Sequence, residues 1–335
     1  MMFTSVRRAG LALAVCAAAV ATAAAAPASA LQPQASSQHA KVFTFALGST
    51  EPAVYKVIES AHRTLDMTMY ELADPTVVAD LIAKEKAGVQ VRVILDSRET
   101  YVNATDYAAL KAGGVGVVYS NPAYYYTHQK TITVDGDESL ILTGNLTSEY
   151  YSTTRDYGIV DTDAKDVAEI EKVFAADYAH TPITPTDGDD LLWSPTDSRA
   201  RIRSVVNGAT RTLDVEEEEF SDPAVVAGIV ADARRGVKVR LVVEYPADYA
   251  SEIAEVKAAG GTVVGYSSST GFYVHAKAIV ADAGRNSERV ELGSINITSN
   301  SLDNNRELGI ILTDHSSVNT VESVISSDFA GGTPA

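Results

Sequence analysis

Apolar residues recur along the chain with two different spacings, and segments of the two kinds alternate. Helical spacing covers residues 51–62 and, after Asp74-Pro75, the stretch that runs to Gly88. An aspartate followed by a proline is typical of the first turn of a helix. A β-branched run at residues 89–95 comes next and predicts a strand. Alternating helices and strands predict α/β layers around a mostly parallel sheet.

The same pattern returns in the second half of the chain, 148 residues further on. Residues 61–96 and 209–244 align without a gap and are identical at 16 of 36 positions. This period is too long for a solenoid, so it indicates a duplicated domain. The second copy predicts helices at residues 198–210 and 251–259 and a strand at residues 237–243.

The composition changes between the two copies. Residues 181–195 are rich in Pro, Thr, Asp and Gly, which is typical of a linker. We therefore expect a first domain at residues 41–180 and a second domain at residues 196–330.

The beginning of the chain has the features of a secretory signal peptide. Two arginines precede an apolar run at residues 9–26, and the small-x-small sequence at residues 28–30 is a cleavage site. Cleavage after Ala30 predicts a secreted protein. It also removes Cys16, the single cysteine, which excludes disulfides and thiolate chemistry from the mature chain.

The charge balance narrows the classes of partner. The chain has 27 Lys and Arg against 44 Asp and Glu, a net charge of −17. Residues 1–30 carry two arginines and no acidic residue, so their removal changes −17 to −19. Such a surface repels polyanions at long range and argues against non-specific nucleic-acid binding, although it allows a local basic pocket.

The chemistry lies in a set of residues that occurs once in each copy. Each copy has a histidine, a lysine two residues later, an aspartate five residues after that, then a hydroxyl residue, an asparagine and a carboxylate. The carboxylate follows the asparagine by 11 residues in both copies. The two sets are His128, Lys130, Asp135, Thr143, Asn145 and Asp156, and His275, Lys277, Asp282, Ser294, Asn296 and Glu307.

This spacing suits the handling of a phosphodiester. Side chains at i and i+2 on a strand share one face, so each histidine should lie beside its lysine. Two copies around a pseudo-two-fold axis would bring two imidazoles, two ammonium groups and two amides together. Fixed cations and amide donors stabilise the charge on phosphate oxygens. One imidazole can then attack phosphorus while the other protonates the leaving oxygen and later activates water.

The pattern HxKxxxxD followed by GSxN, present twice, resembles the phospholipase D superfamily of phosphodiesterases. The resemblance covers the chain from about residue 41 to residue 330. It implies a duplicated α-β-α sandwich of two pseudo-symmetric lobes, with the active site at their interface. It also implies a phosphohistidine intermediate and no obligatory metal or other cofactor.

The resemblance assigns a role to each matched residue. The catalytic motifs comprise His128, Lys130, Asp135, His275, Lys277 and Asp282. The histidines would be nucleophile and general acid/base, with His128 the commoner nucleophile, and the two aspartates would support the pocket by orienting the histidines or stabilising the loop. Phosphate would be held by the lysines together with Asn145, Asn296, Thr143 and Ser294. Asp156 and Glu307 would orient the histidines.

Three features leave alternatives open. The first copy has Leu142-Thr143 where the family has Gly-Ser, so its turn could be tighter. The acidic run at residues 216–219 is either a partly solvated strand end with paired charges or a site for a cation such as a choline head group. Tyrosines at residues 124–126 and the aromatic pair Phe272-Tyr273 form either a rim for lipid and quaternary ammonium groups or ordinary packing at the start of a strand.

The sequence thus predicts a secreted, monomeric phosphodiesterase that acts on the head groups of phospholipids. An endonuclease of the same superfamily, with nucleic acid as substrate, is the alternative. A binding protein that holds phosphate without catalysis is a third possibility.

Overall fold

The computed structural model describes residues 39–45, 52–267, 269 and 271–335. The described residues all fall within one compact unit of the chain, from Pro33 to Ala335. The predicted signal peptide at residues 1–30 lies outside the described residues.

The first copy forms a sheet in the strand order β1-β9-β7-β6-β2-β4-β5. Helices α1, α2 and α3 pack on one face of this sheet and α4 packs on the other. In chain order the elements are β1 (Ala40–Phe45), α1 (Pro52–Ser60), β2 (Thr64–Met69), β3 (Leu72–Ala73), α2 (Pro75–Lys86), β4 (Gln90–Leu95), α3 (Thr100–Ala112), β5 (Gly116–Tyr119), β6 (Thr131–Val134), β7 (Glu138–Leu142), β8 (Leu146–Thr147), β9 (Thr154–Asp161) and α4 (Ala164–Tyr178).

The second copy repeats this architecture in the strand order β10-β17-β16-β15-β11-β12-β13-β18. Helices α5, α6 and α7 cover one face and α9 covers the other. In chain order the elements are β10 (Leu191–Ser194), α5 (Ser198–Gly208), β11 (Thr212–Glu217), α6 (Pro223–Arg234), β12 (Lys238–Glu244), a 3-10 turn (Pro246–Tyr249), α7 (Ala250–Ala258), β13 (Thr262–Tyr266), β14 (Tyr273–Val274), β15 (Lys277–Ala281), β16 (Arg289–Gly293), α8 (Ser299–Asp303), β17 (Glu307–Leu312), α9 (His315–Gly331) and β18 (Thr333–Pro334).

The predicted start of the second helix in each copy is confirmed. Asp74 caps α2 by accepting hydrogen bonds from the backbone N–H groups of Thr76 and Val77. Asp222 caps α6 in the same way, and a proline follows each cap. This geometry satisfies amide groups that a helix start otherwise leaves unpaired.

The expectation of a mostly parallel sheet is wrong. Along the main strand orders given above, β2-β4-β5 and β11-β12-β13 pair in parallel and the other described neighbours run antiparallel. The parallel strands are those joined by whole helices. Residues 135–137 join β6 to β7 directly, and a connection that short permits antiparallel pairing alone.

The linker expected at residues 181–195 is shorter in the structure. Its last part forms β10, which pairs with β17 at the edge of the second sheet. Trp193 of β10 is fully buried between the layers, so this apolar run belongs to the second lobe.

The two lobes exchange backbone pairing at their interface. Strand β14 of the second lobe runs parallel to β9 of the first lobe. A matching bridge joins Thr127 in the first lobe to Arg306 in the second. These two contacts are pseudo-symmetric, and each comes directly before one of the two motif histidines, His128 and His275.

Gly293 lies at a close approach between two antiparallel strands of the second sheet, β16 and β17. It pairs with Gly309, and a Cβ atom added to Gly293 would lie 2.4 Å from the Gly309 Cα and from the Leu308 carbonyl oxygen. The equivalent pair in the first sheet is Leu142 and Gly158, so the sequence difference at this turn reflects different strand contacts.

We expect Gly293→Ala to lower the free energy of unfolding by about 1–3 kcal/mol, because backbone atoms would have to move. Gly208→Ala is the matched control, since the nearest atom to its added Cβ lies at 3.7 Å. The control should change the free energy of unfolding by less than about 1 kcal/mol. Urea denaturation measures both, and equal effects would contradict this account of the close approach.

Candidate active site

The two histidines and their lysines enter the interface on equivalent strands. Lys130 directly precedes β6, and Lys277 is the first residue of β15. Both histidines are 8% exposed, whereas Lys130 is 1% exposed and Lys277 is fully buried. Each ammonium donates to the carbonyl oxygen of its own histidine, at 2.7 Å in the first copy and 2.5 Å in the second. Each histidine thus lies beside its lysine, as the i, i+2 spacing predicts.

Each histidine is paired with the carboxylate of the opposite copy. His128 Nδ1 lies 2.8 Å from Glu307 Oε2, and His275 Nδ1 lies 3.0 Å from Asp156 Oδ1. These pairs follow from the exchanged backbone pairing, because the segment before each histidine runs beside the strand that carries the other copy's carboxylate. A carboxylate on Nδ1 fixes the tautomer and leaves Nε2 for chemistry.

Burial decides the charge states in the first copy. Burial, together with the nearby Lys130 ammonium, lowers the pKa of His128 to about 4, although Glu307 opposes this shift. Burial and repulsion from Lys277 lower the pKa of Lys130 to about 7. His128 is therefore neutral at pH 7 and can act as a nucleophile.

The hydroxyl groups of Thr143 and Ser294 form hydrogen bonds with other groups of the protein. Thr143 Oγ1 donates to Asp156 Oδ1 at 2.7 Å, and the Leu308 amide donates to Ser294 Oγ at 3.3 Å. Thr143 is fully buried and Ser294 is 1% exposed. Thr143 therefore supports Asp156, the partner of His275, and Ser294 holds the β17 backbone next to Glu307, whereas the resemblance implies that both hydroxyl groups bind phosphate.

Asn145 lines the cavity beside His275, whereas Asn296 is not among the described residues that line it. Asn145 Nδ2 donates to Glu71 Oε2 at 3.0 Å. The Oδ1 atoms of Asn145 and Asn296 are buried and have no hydrogen-bond partner within the described part of the chain. Each amide therefore has one oxygen that the described residues leave unpaired, and a phosphate would have to bind through the amide nitrogens instead.

Asp135 and Asp282 do not join the histidines, and their assignment to the catalytic set is corrected. Asp282 accepts hydrogen bonds from the backbone N–H groups of Thr210, Arg211 and Thr212. Asp135 accepts the equivalent bonds from residues 62–64. A strand rises about 3.3 Å per residue, so β6 and β15 carry these aspartates well away from the pocket. They stabilise the turn between a helix and the next strand. Of the two roles that the resemblance implies for them, this is the stabilisation of a loop and not the orientation of the histidines.

The acidic run at residues 216–219 is a partly solvated strand end with paired charges only in its second half, where Glu218 and Glu219 are partly exposed and Glu218 pairs with Lys277. Glu216 and Glu217 are fully buried, and Tyr157 donates a hydrogen bond of 2.7 Å to Glu216. Burial raises the pKa of Glu217 well above its usual range. Glu218 points into the active site, where its Oε2 lies 2.7 Å from Lys277 Nζ.

Sequence reasoning missed Tyr70 and Glu71. The Tyr70 ring lies 4.5 Å from the His128 ring and 5.1 Å from the Lys130 ammonium. Glu71 holds the Asn145 amide. The signal was present, since these residues align with Glu218 and Glu219 of the acidic run at the 148-residue offset.

A cavity of about 550 Å³ opens beside His275. Aromatic side chains and carboxylates share its wall. The lining includes Glu71, Asn145, Tyr150, Tyr151, Asp156, Glu244, Tyr245, Phe272, Tyr273 and His275. Of the tyrosines for which the sequence allows either a rim or ordinary packing, Tyr124 lies against the Arg306 guanidinium at 4.2 Å, which is a packing role.

Within the described ranges, no group of three or more histidine, cysteine, aspartate or glutamate side chains is arranged to hold a metal ion. A search of the same residues finds no helix with the length and apolarity needed to span a membrane.

A family model described as "Cardiolipin synthase, PLD-like domain" matches residues 54–178 and again residues 202–329. The chain belongs to the phospholipase D superfamily, and it contains the domain twice. Cardiolipin synthase A of Pseudomonas entomophila (strain L48) is a relative that is 24% identical over 324 aligned residues. The match covers 84% of this chain and 66% of the relative, so the chain spans about two thirds of that protein's length.

Two solved structures share the fold. Phosphatidylserine synthase from Haemophilus influenzae Rd KW20 has a TM-score of 0.65 at 12% identity, with 84% of this chain and 83% of that chain covered. Polyphosphate kinase from Porphyromonas gingivalis has a TM-score of 0.67 at 14% identity, with 86% of this chain and 46% of that chain covered. These likenesses support a duplicated phospholipase D fold.

We expect Asp282→Ala to lower the free energy of unfolding by about 2–4 kcal/mol, because it leaves several amide groups of the turn unpaired. Turnover of bis(p-nitrophenyl) phosphate by the folded variant should stay within about tenfold of the wild type. Asp156→Ala is the matched comparison, with turnover reduced about 100-fold or more because His275 loses its partner. A folded Asp282→Ala protein with turnover as low as that of Asp156→Ala would restore Asp282 to the catalytic set.

The pH dependence of kcat/KM should have limbs near the two shifted pKa values. As pH rises through about 7, Lys130 loses its proton and phosphate binding weakens; as pH falls through about 4, His128 gains a proton and loses its nucleophilic lone pair. Bound phosphate favours the charged lysine, so the alkaline limb of kcat should lie at higher pH. A kcat/KM that stays level from about pH 6 to about pH 9 would contradict this assignment.

Proposed function

We propose that the protein is a secreted, monomeric phosphodiesterase of the phospholipase D type, which hydrolyses or exchanges the head group of a phospholipid through a phosphohistidine. The observation that carries the proposal is the pair of interface histidines, each held at Nδ1 by the carboxylate of the opposite copy. Two buried lysines beside them supply the positive charge that a phosphodiester needs.

In the first step His128 attacks phosphorus through Nε2. Glu307 accepts the hydrogen bond from Nδ1–H, so the lone pair is on the attacking nitrogen. A phosphorus–nitrogen bond forms and the bond from phosphorus to the leaving oxygen breaks. His275 gives its Nε2 proton to that oxygen. Lys130 and Lys277 hold the charge on the non-bridging oxygens.

In the second step an acceptor alcohol or water replaces the leaving group beside His275. His275 takes the proton of the acceptor, whose oxygen bonds to phosphorus as the phosphorus–nitrogen bond breaks. Both catalytic groups then return to their starting protonation states. Water yields hydrolysis and an alcohol yields head-group exchange, so one site supports both reactions.

Two observations support a phospholipid substrate. The names of two relatives, cardiolipin synthase A and phosphatidylserine synthase, refer to phospholipid products. The cavity beside His275 combines aromatic rings with the carboxylates of Glu71 and Glu244. Aromatic faces and carboxylates attract a cation, so a choline or ethanolamine leaving group fits this position.

The nuclease alternative is less well supported by the net charge of the chain. The chain carries a net charge of −17, whereas a nucleic acid brings many phosphates near its surface. A polyanion would be repelled at long range.

We expect the purified protein to release choline from phosphatidylcholine vesicles in the presence of EDTA, and to form phosphatidylethanol when ethanol is added. His128→Ala should lower both rates by about 1,000-fold or more, because the nucleophile is lost. Denaturation in SDS at alkaline pH during turnover should trap a phosphatidyl group on His128, because the phosphorus–nitrogen bond is labile in acid and stable in base.

His315→Ala is the matched control, since the His315 side chain is 71% exposed and pairs with Glu288, which is not one of the proposed site residues. It should retain wild-type rates. Activity that survives His128→Ala would overturn the mechanism. Cleavage of plasmid DNA without release of choline would favour the nuclease alternative.

A further inference from the structure

One position of the active site differs in kind between the two copies. Tyr70 of the first copy aligns with Glu218 of the second at the 148-residue offset. In the first copy the tyrosine ring lies beside Lys130 and His128, and its hydroxyl donates to Glu99 at 2.8 Å. In the second copy a carboxylate takes the place of the ring.

Glu218 contacts the groups that a phosphate oxygen would need. Its Oε2 lies 2.7 Å from Lys277 Nζ and 3.5 Å from His275 Nε2. The other oxygen, Oε1, accepts a hydrogen bond from the Tyr273 hydroxyl. The nitrogen of His275 that faces Glu218 is the one left over after Asp156 binds Nδ1.

The electrostatics of the two lysines reflect this difference. Burial opposes the charge on Glu218, yet His275, Lys277 and the Tyr273 hydrogen bond together hold its pKa well below the usual range. Burial also opposes the charge on Lys277, but Glu218 and Asp156 raise its pKa. Among the described residues, no carboxylate lies within 4.0 Å of the Lys130 ammonium. Lys277 is therefore already neutralised by an internal anion, whereas Lys130 is not.

We propose that Glu218 occupies the phosphate position of the second copy in the free protein, and that a phosphodiester binds there by displacing the Glu218 carboxylate from Lys277. The proposal rests on the proposed function, since it takes phosphate as the ligand of the paired lysines. Tyr273 holds the other oxygen of Glu218, so the displaced carboxylate keeps one hydrogen-bond partner. Glu218 is thus a residue that sets affinity through competition with the substrate.

The test is the affinity of the full-length protein for inorganic phosphate and orthovanadate, measured by isothermal titration calorimetry at about pH 6, where buried lysines keep their protons. Glu218→Gln removes the competing charge and should lower the Kd at least tenfold. Glu218→Tyr installs the residue of the first copy and should lower it as well.

Glu219→Gln is the matched control. It makes the same substitution one residue away, where no ion pair to Lys277 or His275 is found among the described side chains. Its Kd should change less than threefold. A Kd for Glu218→Gln equal to that of the wild type would overturn the proposal, and so would equal gains in Glu218→Gln and Glu219→Gln, because the effect would then be general charge.

A crystal structure of the wild type with orthovanadate tests the same point if the variants do not fold. The expected result is a vanadate oxygen beside Lys277 Nζ, with Glu218 more than 4 Å away. Vanadate bound with the Glu218–Lys277 contact intact would overturn the proposal about Glu218 but would leave the proposed function standing. If neither ion binds the wild type or any folded variant, the phosphate site itself fails, and the proposed function fails with it.

Discussion

The active site depends on an exchange of partners between the two lobes. The segment before each histidine pairs with the backbone of the opposite lobe, through β14 and β9 on one side and through Thr127 and Arg306 on the other. Each histidine consequently lies against the opposite carboxylate, at 2.8 Å and 3.0 Å. Neither copy supplies both members of a pair, so neither lobe alone can fix the tautomer of its histidine.

The burial of two lysines imposes a second constraint. A buried ammonium is stable only where nearby dipoles or charges replace water. Each lysine ammonium donates a hydrogen bond to the backbone carbonyl of its own histidine, but the other partners of the two lysines differ. Lys277 is matched by Glu218, whereas Lys130 lies over the ring of Tyr70. The duplicated motif therefore produces two electrostatically different halves, which suits a reaction that needs one nucleophile and one proton donor.

Several features of the fold follow from short-range patterns, and others do not. The Asp-Pro helix starts and the 148-residue offset correctly indicate a duplicated α/β domain. The spacing HxKxxxxD suggests a single cluster, yet the intervening strand carries Asp135 and Asp282 to a different end of the sheet. Periodicity shows which residues share a face of a strand but does not show where along the sheet they lie, so the loop role of these aspartates required the structure.

The sequence by itself determined the duplication, the alternation of helices and strands, and the residue types available for chemistry, because these are properties of local patterns and of self-similarity. The tertiary structure decided which carboxylate meets which histidine, since those partners are 119 and 179 residues apart along the chain. It also decided that Glu216 is buried beneath Tyr157 while Glu218, two residues later, reaches Lys277. Contacts between lobes arise only when two sheets pack together, and no local pattern in either copy encodes that arrangement.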